Sequence, residues 1–301
     1  MPGGSPSTSR TTGYSSVGCR PPPDGAVLDY YLKEKSTSPV QLEIFASEGK
    51  LVRRFSSDDK LTPTKPASVA FTMNWVHQPE PLLNEAGAHR FVWDLHYALP
   101  EGVRTSYYLT AGPLVVPGNY TVKLTANGKS STQPLTVKMD PRVKATPEAL
   151  QRQFALASQL SERIGEVSAA LRQANDLRKQ IEERQKDAAG EKEVVTVLEE
   201  LSQKTESAQG DGGDAYFMLF GLTLPGSARE PLPRVELALT SLLVVAESAD
   251  VAPTSDLEKA AEAWDTASKD ALARWKSVLE KDLVGVNSKL EKAKLKLLVL
   301  K

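Results

Sequence analysis

Pro141-Arg142-Val143-Lys144-Ala145-Thr146-Pro147-Glu148 divides this chain into two stretches written in different grammars. Before Thr146 stand fifteen of the twenty prolines, all three histidines and many Val, Thr and Tyr pairs. After it come long runs of Ala, Leu, Glu, Lys, Gln and Arg, the straight-chain helix formers. Thr146-Pro147-Glu148 is itself a helix start. Thr146 can cap, Pro147 suits the first turn, and Glu148 favours the positive end of the helix dipole.

Working downstream, apolar residues recur at Leu150, Phe154, Ala157, Leu160, Ile164, Val167, Leu171, Ala174, Leu177 and Ile181. Steps of three and four predict one long amphipathic helix. A shorter helix is expected over 191–207, another over 233–249 with Val235, Leu239, Leu242 and Leu243 inward, and a last long one opening at Pro253-Thr254-Ser255. Gln209 to Asp214 reads as a glycine-rich break.

Working upstream, the segments are short and bounded by turn residues. Strands are predicted over 26–32, 40–45, 51–55, 90–95, 119–125 and 130–139. Gly49 marks one turn, Asn127-Gly128 is a two-residue hairpin signal, and Pro134 consigns the last strand to an edge or bulge. Residues 56–88 are less legible and read as an extended loop. The expected fold is an α+β multidomain chain. Residues 1–22 form a leader or linker, 23–141 an Ig-like or fibronectin III-like β-sandwich, and 146–301 an antiparallel α-helical bundle broken near 208–214.

Composition narrows the function. Thirty-seven basic against 38 acidic side chains leave a net charge of -1, which disfavours a dedicated nucleic-acid binder. Cys19 stands alone, so neither an intramolecular disulfide nor a multi-cysteine zinc site is available. No apolar run spans a bilayer, and the Ser/Thr/Gly-rich start lacks the apolar core of a signal peptide.

Chemistry-bearing patterns are sparse. His77, His89 and His96 do not have metal-ligand spacings, so neither metal nor cofactor is expected. No Gly-x-Ser-x-Gly elbow occurs, and Gly210-Asp211-Gly212-Gly213 lacks the Lys-Ser/Thr of a phosphate loop. Carboxylates such as Glu182 and Glu183 sit among Lys and Arg and read as solvated helix surface. Asp94 is expected to hydrogen-bond a turn, and Trp93 to fill the core. Trp75, Tyr107 and Tyr108 lie in irregular segments, where rings can stack on a sugar. In Tyr216-Phe217-Met218-Leu219-Phe220, the rings of Phe217 and Phe220 read as a plug for the interior, with partner docking as the rival use.

Val40 to Phe45, Gly49 to Arg53, Gly87, Arg90 to Leu95 and Val116-Pro117-Gly118-Asn119-Tyr120-Thr121-Val122 follow an order and spacing that resembles an Ig-like domain. The type is that of flagellar hook-capping proteins and of the C-termini of many exported bacterial proteins. A wider resemblance takes in Pro22 to Leu32, Gly112 to Val122, Met139 to Val143 and the tail with Trp275, Asp282-Leu283 and Asn287. These look like the C-terminal region of large bacterial proteins with sortilin-like, BNR-repeat β-propellers, often labelled glycosyl hydrolases. The resemblance implies an accessory module, not an enzyme, because catalytic acids would belong to the propeller and no Ser-x-Asp-x-Gly-x-x-Trp signature occurs here. It implies a β-propeller in cis, or another protein, as partner, with polysaccharide binding as the alternative. It also implies an extracellular or periplasmic setting within a longer product.

Overall fold

A computed structural model describes residues 25–60, 81–103, 109–188, 190–210, 225–226 and 229–300. Among them the chain is an α+β mix of two small antiparallel sheets followed by helices. The strands are β1 (Ala26–Leu32), β2 (Gln41–Ala46), β3 (Leu51–Ser56), β4 (Gly87–Trp93), β5 (Gly118–Ala126) and β6 (Lys129–Val137). β1 pairs with β4, and the second sheet runs β3-β2-β5-β6.

Turn chemistry sets the register. Asn127 and Gly128 both have positive φ, 49° and 72°, the left-handed pair that a tight β5–β6 hairpin requires. Asn127 Oδ1 also accepts from Thr37 N–H at 2.8 Å, tying this turn to the loop after β1. Pro134 lies on β6, which ends its sheet, so its missing N–H breaks no inner ladder.

The two sheets share one hydrophobic cluster, with Leu42, Ile44, Val52, Tyr120 and Val122 from one and Phe91 and Trp93 from the other. Trp93 is 0% exposed. Its ring meets Tyr120 edge-on at 5.9 Å, and its indole N–H donates to the His96 carbonyl at 3.1 Å. Phe55 and Phe91 make a second edge-to-face pair at 4.6 Å.

The fourth strand differs from its predicted span of 90–95. It starts at Gly87 and stops at Trp93, although apolar alternation continues to Leu95. Leu95 takes a φ of 60°, and Asp94 Oδ1 accepts from the His96 N–H at 3.2 Å. The expected turn role of Asp94 therefore holds, and His96 lies beyond the strand.

The helices are α1 (Pro147–Asp187), α2 (Lys192–Gln209), α3 (Leu232–Ala246), α4 (Ser255–Ser277), a π-helical turn (Val278–Leu283) and α5 (Val284–Lys292). Thr146 caps α1 as expected, its hydroxyl accepting from Ala149 N–H at 3.2 Å. Thr254 caps α4 in the same way at 3.3 Å. α1 lies against α2, α3 and α4, and the predicted stripe from Ala157 to Ile181 is buried in their common cluster, save half-buried Leu171. α3 ends three residues earlier than predicted, and the last helix runs on through the π turn.

Candidate functional site

Residues 95–103 and 109–116 lie between the sheets and the helices, and here the two parts are held together. Arg53 on β3 donates to the Tyr97 carbonyl at 2.5 Å, and Ala98 N–H donates to Val52 O at 3.3 Å. From the other side, Phe154 of α1 packs its ring on Tyr97 at 5.3 Å. Leu109 is buried within the helical cluster, with Leu99 and Val103 packed against it.

Gly165 explains how the first of these segments comes so near α1. A Cβ at this position would stand 2.6 Å from Pro100 Cβ, closer than carbon atoms can approach. A glycine inside a helix costs about 1 kcal/mol against alanine. Here it makes room for the Pro100 ring. Two turns further on, Arg172 donates to the Gly102 carbonyl at 2.6 Å.

Glu247, the residue that follows α3 and caps it, completes the junction. Its Oε1 accepts from Leu114 N–H at 2.6 Å. A carboxylate at a helix C-terminus faces the negative end of the dipole, so the position is unfavourable without such a donor. Burial pushes the Glu247 carboxyl above its ordinary value, opposed by the Leu114 N–H and by the charge of nearby His96.

Elsewhere the well-buried charges are committed to ion pairs. Arg163 on α1 bridges to Asp265 on α4 at 2.8 Å, and Lys269 reaches the same carboxylate at 2.7 Å. Arg184 pairs with Asp187 and Glu183. Glu182 and Glu183 are exposed on the helix surface, as their charged neighbours suggested. Among the described residues, no group of three or more His, Cys, Asp and Glu side chains could hold a metal ion. No helix among them is long and apolar enough to cross a membrane.

Shallow surface depressions occur among the described residues, two of them as follows. One lies on β1 and β4, where Arg90 grips Asp29 through two bonds of 2.8 and 2.9 Å beside Tyr31. The Arg90 hydrogen bonds hold the Asp29 carboxyl below its usual range. The other lies between α2 and the end of α4, where Lys204 pairs with Asp282 at 2.6 Å and Arg274 donates to the Glu230 carbonyl at 2.6 Å.

Comparison with protein-family models, with curated proteins and with solved structures returns no match.

The five residues singled out for ligand or partner contact, Trp75, Tyr107, Tyr108, Phe217 and Phe220, all lie outside the described residues, as do Cys19 and His77. What the structure adds are Tyr97, Gly165 and Glu247 at the junction and Tyr31 on the open sheet face. Tyr31 is 70% exposed. Two adjacent tyrosines in one strand must point to opposite faces, so Tyr30-Tyr31 carried that signal. The signal for Glu247 was an acidic residue closing an apolar helix.

Proposed function

We propose that this chain is a non-catalytic accessory module that holds a neighbouring domain at a fixed distance and orientation. The observation that carries this reading is the junction. Tyr97 on Phe154, Pro100 over Gly165 and Leu114 on Glu247 fix the sheets to the helices from three sides. Two units joined only by a flexible linker would need none of these contacts.

In this reading the sheets form an Ig-like sandwich and the helices a bundle. Their shared core around Trp93 speaks for the sandwich. So does Tyr120, whose hydroxyl donates to the Val116 carbonyl at 2.6 Å, four residues upstream at the start of a strand, as in the tyrosine corner of such domains. The neighbour is a β-propeller and the setting an exported bacterial protein, both drawn from the sequence resemblance. Catalysis belongs to that neighbour.

The test joins genomic sequence to binding. The flanking coding sequence is read for a propeller, and that propeller is mixed with the purified chain. A one-to-one complex by calorimetry, with no turnover of oligosaccharides or peptides by the chain alone, is the expected result. Turnover by the chain alone, abolished by one carboxylate substitution, would overturn it.

Tyr31 favours a second reading, a carbohydrate-binding module. An exposed ring on a sheet face, beside a fixed carboxylate–guanidinium pair, can stack on a sugar and hydrogen-bond its hydroxyls. Polysaccharide retention by the wild type that is lost in Tyr31→Ala, with the fold intact, would decide for it.

A further inference from the structure

After α5 the chain reverses. Lys294 takes a φ of 58°, and Leu295 N–H donates back to the Leu290 carbonyl at 2.9 Å. A left-handed residue closing a helix in this way is common, but it is usually glycine. Residues 295–300, which follow, belong to no helix or strand.

Their backbone is instead paired with side chains. Asn287 on α5 donates to the Leu298 carbonyl and accepts from the Leu298 N–H, both at 2.9 Å. Gln180 on α1 donates to the Val299 carbonyl at 2.7 Å and accepts from the Val299 N–H at 2.9 Å. Each carboxamide, with its donor and its acceptor, does for one residue what a partner strand does in an antiparallel ladder. Adjacent residues of the segment thus bond to different helices. The tail is therefore held by α5 and α1 together. Asp176 accepts the second hydrogen of the Gln180 amide at 2.8 Å and so orients it.

The side chains of the segment are unequally buried. Leu298 is 2% exposed and joins the helical cluster, while Leu297 and Val299 beside it are 39% and 60% exposed. Leu298 is the most deeply buried anchor, Leu295 and Leu300 pack partly buried against the same cluster, and the four backbone hydrogen bonds supply the rest of the recognition.

We propose that Gln180 and Asn287 form a peptide-binding site that grips the backbone of a segment around one fully buried leucine, occupied in cis by residues 295–300. Backbone recognition leaves the side chains at the exposed positions 296, 297 and 299 free to vary, as in the addition of a peptide strand to a sheet edge. The site differs from strand addition in needing no sheet. Its affinity for a free segment is modest, because the ordering of that segment is no longer prepaid by the covalent link.

Two experiments test it. In the full chain, amide hydrogen exchange of Leu298 and Val299 is compared with that of Ile181 in α1. The tail amides are expected to exchange through local opening, ahead of Ile181. Gln180→Met with Asn287→Leu should speed them by about tenfold or more, the loss of hydrogen bonds on both sides, and leave Ile181 unchanged. Equal protection of tail and α1 amides would overturn the proposal, because the tail would then be an inseparable part of the core. In the second experiment the chain is ended at Lys294 and titrated with a synthetic peptide of residues 295–300. Saturable binding that is lost with Leu298→Ala in the peptide, or with the double substitution in the protein, is expected. A shortened chain that fails to fold, or that folds and does not bind the peptide, would overturn it.

Discussion

Trp93 has no exposed surface, and its ring and N–H are both engaged, one by Tyr120 and the other by the His96 carbonyl. Trp93→Ala should cost about 3–5 kcal/mol, the range for a buried aromatic removed from a core, read by denaturant unfolding. An unchanged midpoint would contradict the packing described. Glu247 makes a different prediction. Its carboxyl is raised by burial, so its protonated form is favoured in the fold. The Glu247 contribution to stability is thus fully present below the ordinary glutamate range and is lost as pH rises through the raised value. Glu247→Gln keeps an acceptor for Leu114 N–H and removes that loss. Its thermal midpoint should exceed the wild type near neutral pH, and the gap should close as pH falls to the ordinary glutamate range. A gap that widens toward acid would reverse the assigned direction. Tyr120 is likewise raised, to about 12, chiefly by burial. Neither residue could be singled out by type alone, since what moves each is the interior that distant segments build around it.

At the scale of the element, Thr146 capped α1 where its position before Pro147 and Glu148 said it would. Thr146→Ala should cost about 1 kcal/mol, measured by chemical denaturation. Strand spans were legible wherever turn residues bounded them, as at Gly49 and Asn127-Gly128. β4 was misplaced at its end because Phe91, Trp93 and Leu95 alternate without interruption, while the turn depends on one Asp94 hydrogen bond and one left-handed leucine. The π turn over Val278–Leu283 leaves no mark in the apolar spacing that a reader could separate from continuous helix. The tail beyond Lys294 was equally opaque, because its partners are two carboxamides on different helices, one of them more than a hundred residues away. Gly165 offers the sharpest element-scale test. Alanine there gains up to about 1 kcal/mol of helix propensity, yet its methyl group collides with Pro100. Gly165→Ala should therefore lower the melting temperature, whereas a rise would show that Pro100 is not held on α1.

For the whole molecule, the switch from period two to period 3.6 at Pro141–Pro147 was the strongest signal in the sequence, and the order of strands and helices follows it. How the sheets sit on the helices was not legible, because the junction is assembled from Arg53, Tyr97, Pro100, Leu114, Phe154, Gly165 and Glu247, which lie far apart in the chain. The central claim is that this junction makes one rigid spacer. Spin labels at Ser131 on β6 and Lys179 on α1, with Cys19→Ser as background, measure it directly by pulsed dipolar spectroscopy. One narrow distance distribution is predicted, broadening when Gly165→Ala and Glu247→Ala are combined. A broad distribution in the otherwise native chain would contradict the account.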